Sequence, residues 1–399
     1  MDAGNFSGDS GEAGHLNTDT LIEAMSRLGY ATVNLAEREI LFAYDPSQRK
    51  LGKATFPVVS ANLVFQDTAG TVTQPFAVKT VEVAAGGKKS KFRLGILGLA
   101  RPNPGLAQKT PDGRRIVTAD PVEAAKKVVP ELRKKSDLVI ALVTLEPDQS
   151  RGLAKDVPGI DLILGGFGAV QTPTNDSPGD TLVGETRILY AGNQGRRLGE
   201  VRVFLEEGKP ARTVRNLITL DRTVPDDPAI MDLVEKNRVA INEINRKQAP
   251  LVDMEKLRAI YPGVSFVRAE TCKGCHEAEY DVWQGTAHAH AFQILVDKHQ
   301  DYNPDCVRCH TTGYQQQTGF LNARSTPEMM NVQCEACHGP GKDHPEKVGK
   351  GYGASAGTPA CLTCHTTENS PDFDASAYML KIKHWKAEGE AGAASSVGR

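Results

Sequence analysis

Five-residue sequences of one form occur four times in this chain: Cys272-Lys273-Gly274-Cys275-His276, Cys306-Val307-Arg308-Cys309-His310, Cys334-Glu335-Ala336-Cys337-His338 and Cys361-Leu362-Thr363-Cys364-His365. Two thiols at this spacing can add to the two vinyl groups on one edge of a porphyrin, and the adjoining imidazole reaches the iron from one face. Cys-x-x-Cys-His is therefore the attachment sequence for c-type haem. All eight cysteines of the chain are used in this way. Paired Cys-x-x-Cys sequences also build structural zinc sites, but those need four ligands on one metal and no histidine after every second cysteine. Four disulfides would again leave the histidines unexplained. The expectation is four covalently attached haems. Cys272, Cys275, Cys306, Cys309, Cys334, Cys337, Cys361 and Cys364 would hold the porphyrins, and His276, His310, His338 and His365 would be the proximal iron ligands.

For the opposite iron faces the remaining candidates are His288, His290, His299, His344 and His384. Glu277 to Asp297 reads as one helix, which places His288 about 18 Å along the axis from His276, too far to complete the same iron. His288 is expected to cap another haem and tie two together. His290 points to a different side of that helix. His299 returns to nearly the face of His288 if the helix continues, and is a candidate for the distal side of the second haem. Tyr280, Trp283 and Trp385 are expected to pack against haem.

The rest of the chain must position these groups. A length of 399 residues predicts two or three domains. Residues 1–222 alternate helix-like and strand-like segments. Thr20 to Tyr30 places Leu21, Ile22, Met25 and Leu28 on one helical face. Short apolar runs follow at Pro57 to Leu63, Phe76 to Val83, Phe92 to Leu99, Leu138 to Val143 and Ile160 to Leu164. Asp120-Pro121 opens a helix, and Ile188 to Ala191, Glu200 to Leu205 and Thr213 to Ile218 read as closing strands. This is an α/β domain with a sizeable core. His15 falls in a Gly-rich polar stretch and reads as a solvated loop residue. Residues 223–262 read as a helical connecting arm beginning at Asp227-Pro228, residues 263–387 as the haem domain and 388–399 as a flexible tail. Beyond Val307 apolar residues are sparse, so haem faces must supply much of the core, and without haem this part is expected to be disordered.

Basic and acidic residues are nearly balanced, 47 against 49, which gives no electrostatic footprint for nucleic acid. No apolar run approaches the roughly 20 residues of a membrane span. The start Met1-Asp2-Ala3-Gly4-Asn5 is too polar for a signal peptide. Haem is attached to apocytochromes outside the cytoplasmic membrane, so the chain is expected to begin after a removed segment or at an incorrectly chosen start, and to work in the periplasm or outside the cell.

Asp2 to Asn5, Leu28-Gly29-Tyr30 with Val33-Asn34-Leu35, Pro57 to Leu63, Leu94 to Leu99, Pro158 to Gly166 and Ala191 to Gly195 resemble the metallophosphoesterase domain of 5′-nucleotidases. The resemblance implies a layered α/β sandwich and two metal ions held by Asp, Asn and His at strand ends, where they activate water. The ligands themselves are missing. The family's Gly-Asp is Gly4-Asn5, its Gly-Asn-His-Glu loop aligns with Ala36-Glu37-Arg38-Glu39, and a histidine falls at about Thr144. Gly-His-Ser-His becomes Gly166-Phe167-Gly168-Ala169, and the first Asp-x-His would lie upstream of Met1. No dinuclear site and no phosphoesterase activity are expected, because function resides in sites and not in folds.

Cys272 to His276, Trp283 with Thr286 to Phe292, Cys306 to Tyr314, Cys334 to His344 and Lys381 to His384 resemble the tetrahaem cytochrome c-554 family, over about residues 263–385. The resemblance implies a mainly α, loop-rich multihaem domain with His288, His344 and His384 as distal ligands. It leaves the distal side of the haem at Cys306 and Cys309 open. The function expected is electron transfer between redox partner proteins, with the N-terminal domain for docking or assembly, extending to a homo-oligomer or filament. The alternative is a haem enzyme acting on a small nitrogen or sulfur compound at an open second haem.

Overall fold

The computed structural model describes residues 1–43, 53–67, 70–85, 88–106, 108–110, 113–166, 180–191, 195–206, 209–253, 265–348, 357–366 and 369–384. Phe167 to Ala169, Gly192 to Gln194, Trp385 and the C-terminal tail lie outside them. The chain divides into two compact units, Met1–Asn237 and Arg238–Arg399.

The first unit runs α1 (Glu12–Arg27), β1 (Val33–Asn34), β2 (Val58–Val59), β3 (Leu63–Phe65), β4 (Phe76–Ala85), β5 (Lys88–Leu99), β6 (Gln108–Lys109), β7 (Arg115–Thr118), α2 (Pro121–Lys135), β8 (Leu138–Val143), α3 (Pro147–Asp156), β9 (Leu162–Gly165), β10 (Thr181–Val183), β11 (Thr186–Tyr190), β12 (Arg197–Glu206) and β13 (Lys209–Thr219). Among the described residues one sheet has the order β10-β11-β9-β8-β5-β4. Its four inner strands are parallel and its two edges antiparallel. The central strand β8 is apolar without a break because both its faces are covered. Successive side chains alternate between the faces. Val139, Ala141 and Val143 meet Ala125, Val129 and Leu132 of α2 and Leu153 of α3. Leu138, Ile140 and Leu142 face the other way, toward Val201, Val203 and Leu205 of the β12–β13 hairpin. Helices, sheet and hairpin are thus the layers of an α/β sandwich.

Local chemistry starts and stops these elements. The Asp120 carboxylate accepts from the Glu123 amide at 2.9 Å and Pro121 follows at the first helical position, where a missing N–H costs nothing. At the strand ends two buried amides act as clamps. Asn34 donates to the carbonyls of Ala3 and Leu99, and Asn62 donates to those of Ala100 and Ala119. A Cβ on Gly98 would sit 2.3 Å from the Asn34 side-chain oxygen and 2.4 Å from the Val59 carbonyl oxygen, so this close approach requires glycine.

Helix α1 differs from the sequence expectation. It begins at Glu12, and its buried stripe is Gly14, Thr18, Ile22 and Met25, whereas Leu21 and Leu28 are exposed. The stripe runs upstream through a glycine and a threonine whose hydroxyl bonds the Gly14 carbonyl, residues that hydropathy does not mark as core. His15 lies in the first turn of this helix, half-buried, and not in a loop.

Helix α4 (Pro228–Gln248) has no buried residue. In its first-unit part Asn237 bonds Asn17 and Thr20. In its second-unit part Asn242 bonds Asp301 and Tyr302, and Asn245 bonds the Tyr302 carbonyl.

The second unit is built of short helices: Ala269–Lys273, Glu277–Gln284, a 3₁₀ turn Ala287–His290, Ala291–Asp297, Pro304–His310, Cys334–His338, Thr358–Leu362 and Ala375–Ile382. Phe266, Phe292, Leu295, Val307, Phe320 and Met329 form its core. The single helix expected over Glu277 to Asp297 is broken. Gly285 closes the first piece, Thr286 is extended with its hydroxyl on the Trp283 carbonyl, and the chain re-enters through the 3₁₀ turn. The hydroxyl offers the backbone a local bond that competes with the helix ladder.

Candidate haem-binding site

The attachment spacing is one helical turn. The amides of His276 and His365 donate to the carbonyls of Cys272 and Cys361 at 2.9 and 2.8 Å. Two motifs coincide with the ends or whole of the helices Pro304–His310 and Cys334–His338. Residues i, i+3 and i+4 share a helix face, so both sulfurs and the imidazole of one motif project to one side. None of the eight cysteine sulfurs is joined in a disulfide.

Three of the motif histidines are faced by a second imidazole from elsewhere in the chain. The ring centres of His276 and His344 lie 6.2 Å apart with planes 23° apart. Those of His365 and His288 lie 6.2 Å apart at 45°, and those of His338 and His384 lie 5.8 Å apart at 78°. Two imidazoles on opposite sides of one metal ion, each nitrogen about 2 Å from it, have ring centres about 6 Å apart. The spacing therefore leaves room for a metal ion between the rings. His288 faces a motif other than its own neighbour, across 77 residues of chain.

Hydrogen bonds at the far nitrogen orient several of these rings. His365 Nδ1 lies 2.9 Å from the Ser370 hydroxyl, His384 Nδ1 lies 2.8 Å from the Ile382 carbonyl and His310 Nδ1 lies 2.6 Å from the Ala291 carbonyl. Such a bond at Nδ1 leaves Nε2 for a metal. Burial, and then the neighbouring His365, hold the His288 pKa below its ordinary value, and burial does the same for His365. Both favour the neutral imidazole, which has the free lone pair. Phe373 stacks on His365 at 4.5 Å, and Tyr378 meets both rings edge-on.

The second motif differs. Among the described residues no other histidine ring is in contact with His310. His299 is exposed, just beyond the end of the helix Ala291–Asp297, with φ 51°. His290 is exposed with Nε2 3.1 Å from the Gln284 carbonyl.

Attachment cysteines of different motifs are neighbours. Cys272 and Cys334 are near enough to perturb each other, which holds Cys272 below and Cys334 above the ordinary thiol value. Burial chiefly, with the neighbouring Cys309, pushes the Cys364 pKa up to about 11. Cys337 lies close enough to Cys361 to feel its charge. An open pocket lies between Cys272 and His276 of the first motif, Cys334 and His338 of the third, and Trp283. Trp283 is fixed by a 2.8 Å bond from its indole nitrogen to the Val332 carbonyl. Paired rings, convergent thiols and this cavity fit the porphyrin groups that the motifs call for.

In the first unit, the positions that align with phosphoesterase metal ligands hold a different network. Asn5 donates to Glu37 at 3.2 Å, and Thr144 donates to the other Glu37 oxygen at 3.4 Å. The Arg101 guanidinium, which sequence reasoning did not single out, bridges Glu37 at 3.4 Å and Glu146 at 3.3 Å. Its backbone amide bonds the Thr144 hydroxyl at 3.0 Å. Arg101 lies two residues beyond the end of β5, and Thr144 directly follows β8. Glu39, fully buried, accepts from the amides of Asn5, Ser7 and Ala36 and from the Ser7 hydroxyl. Among the described residues, no cluster of three or more His, Cys, Asp or Glu side chains is arranged to hold a metal ion.

Residues 271–339 match the family described as cytochrome c554 and c-prime. Cytochrome c-554 of Nitrosomonas europaea is 31% identical over 110 residues, 24% of this chain and 47% of that protein. A 2′,3′-cyclic-nucleotide 2′-phosphodiesterase/3′-nucleotidase of Yersinia enterocolitica is 31% identical over 165 residues, 39% of this chain and 25% of that protein. The chain thus spans a quarter and just under half of the lengths of these two relatives. Among solved structures, a sulfate thiohydrolase of Thermus thermophilus superposes with a TM-score of 0.50 at 17% identity, over 66% of this chain and 50% of that one, a likeness of fold alone. The N-terminal part of the chain is thus similar to nucleotidases and has a metallophosphoesterase-like fold, and its C-terminal part is similar to cytochrome c554.

Proposed function

We propose that the C-terminal unit carries four c-type haems and that the protein transfers electrons between redox partners. The observation that carries this reading is the set of three histidine pairs with ring centres 5.8 to 6.2 Å apart. In this reading His276 and His344 hold the first iron, His338 and His384 the third, and His365 and His288 the fourth, with His310 proximal at the second. Iron held by such a pair would supply one-electron redox chemistry. The cysteine contacts order the attachment points as first, third, fourth, second, so neighbours in space are not neighbours in sequence. His288 reinforces this by joining the turn after the first motif to the fourth. Phe373 covers one face of the His365 ring, and Trp283 lines the pocket. A pyridine haemochrome assay with intact mass should give four haems per chain. Colourless protein, or protein holding zinc, would refute the reading.

A second reading is favoured by the absence of a histidine ring against His310 among the described residues. It makes the second haem an open site at which a small nitrogen or sulfur compound binds and reacts. One cyanide or nitric oxide bound per resting chain supports it, and none removes it.

The first unit serves in this reading as a docking or assembly surface without phosphoesterase activity. Where that fold's metal cations are expected, Arg101 supplies the positive charge to Glu37 and Glu146. The outer face of the β12–β13 hairpin exposes Leu198, Phe204 and Val214. Assembly into a homo-oligomer or filament is the extension, and only monomers in electron micrographs at high concentration would contradict it. Among the described residues no helix is long and apolar enough to cross a membrane. Thioether attachment favours a periplasmic or extracellular site, which cell fractionation would test.

A further inference from the structure

Glu335 lies between the two cysteines of the third motif and is 5% exposed. Its Oε1 accepts from the amides of Gly341 at 2.7 Å and Val267 at 2.9 Å. Its Oε2 accepts from Val267 at 3.0 Å and Arg268 at 2.9 Å. A carboxylate has enough lone pairs to satisfy three amides at once, which no other side chain of this length can do.

These amides belong to two segments that no helix or strand joins. Val267 and Arg268 lead directly into the helix Ala269–Lys273, which delivers Cys272 and the turn ending at His276. Gly341 anchors the other segment, because its carbonyl accepts from the His344 amide at 3.0 Å. The neighbouring Lys342 amide bonds the Ser265 carbonyl at 3.1 Å. On the other side of Cys334, the Gln333 side-chain oxygen accepts from the Ala269 amide at 2.8 Å. The third attachment motif thus grips the start of the first, and the same carboxylate grips the segment that bears His344.

We propose that Glu335, from within the third haem's attachment motif, is the positioning residue that holds His276 and His344 in register on the first iron. The inference rests on the bis-histidine reading above. Removing the carboxylate leaves three buried amides without their acceptor, and the two segments relax apart to reach water. His344 would then move away from His276, while the pairs His338–His384 and His365–His288 keep their own supports.

The experiment compares wild-type holoprotein with Glu335→Ala and Glu335→Gln by haemochrome assay and electron paramagnetic resonance. Glu335→Ala is expected to retain four haems, lose one of three low-spin signals and gain a high-spin one. Glu335→Gln keeps the length and one acceptor oxygen. It is expected to shift the signal of the His276–His344 haem and leave the other two in place, so the test stands if the alanine variant is not assembled. Four haems with three unaltered low-spin signals in both variants would overturn the proposal. Failure of His344→Ala to remove a low-spin signal would instead refute the bis-histidine reading beneath it.

Discussion

The imidazole planes of His276 and His344 are 23° apart, whereas those of His338 and His384 are 78° apart at nearly the same ring separation. Near-parallel imidazoles would split the orbitals of an iron held between them more strongly than near-perpendicular ones, so under the proposed ligation the two centres would be spectroscopically distinct. In the oxidised protein at low temperature, electron paramagnetic resonance should show a rhombic low-spin signal from the first pair and a highly anisotropic one from the second. His344→Ala should abolish the rhombic signal and His384→Ala the anisotropic one. A swapped result would overturn the assignment.

Arg101 is paired with Glu37, whose side chain is 5% exposed, while its own is 23% exposed. Replacing it with methionine leaves a buried carboxylate without its cation. Allowing for the partial exposure, Arg101→Met should cost about 2 kcal/mol in urea unfolding of the first unit. Neither protein should release phosphate from nucleotides when manganese is added. Manganese-dependent hydrolysis by the wild type would contradict the inactive reading.

Burial raises the Glu39 carboxyl above the ordinary glutamate value, against the opposing effect of its hydrogen bonds, and burial raises Asp2 as well. A carboxyl with a raised folded-state pKa binds its proton more tightly when folded. Its contribution is fully present below the ordinary value and lost as pH rises through the raised one. The urea midpoint of the first unit should therefore be lower at about pH 8 than at about pH 5, and Glu39→Gln should reduce this difference. An identical pH trend in the variant would count against Glu39 as its source.

Gly98 passes beneath Asn34 and Val59 with no room for a methyl group. Gly98→Ala should destabilise the first unit by about 1–3 kcal/mol through this overlap, read as a lower thermal midpoint. A midpoint equal to that of the wild type would show that the strand ends yield more easily than close packing implies.

Much of the first unit was legible in the sequence, because its signals are local or periodic. Leu138 to Val143 reads as a strand from its short apolar run, and Asp120-Pro121 marks a helix start through one side chain and one missing amide. The start of α1 was not legible. Gly14 and Thr18 are buried for reasons of fit and hydrogen bonding, which hydropathy does not register. Thr286 was equally silent, since its bond to Trp283 helps Gly285 turn the expected helix aside.

What the sequence by itself determined is the local grouping of thiols and imidazoles. Two thiols and an imidazole fall within five consecutive residues, so their meeting needs one helical turn and no tertiary contact. Which rings face each other was decided only by the fold, because His276 and His344 lie 68 residues apart and His288 and His365 lie 77 apart. The same holds for Arg101 beside Glu37 and for Glu335 beneath the first motif. Side chains brought together by long loop closures carry no local pattern, and packing alone fixes their partners.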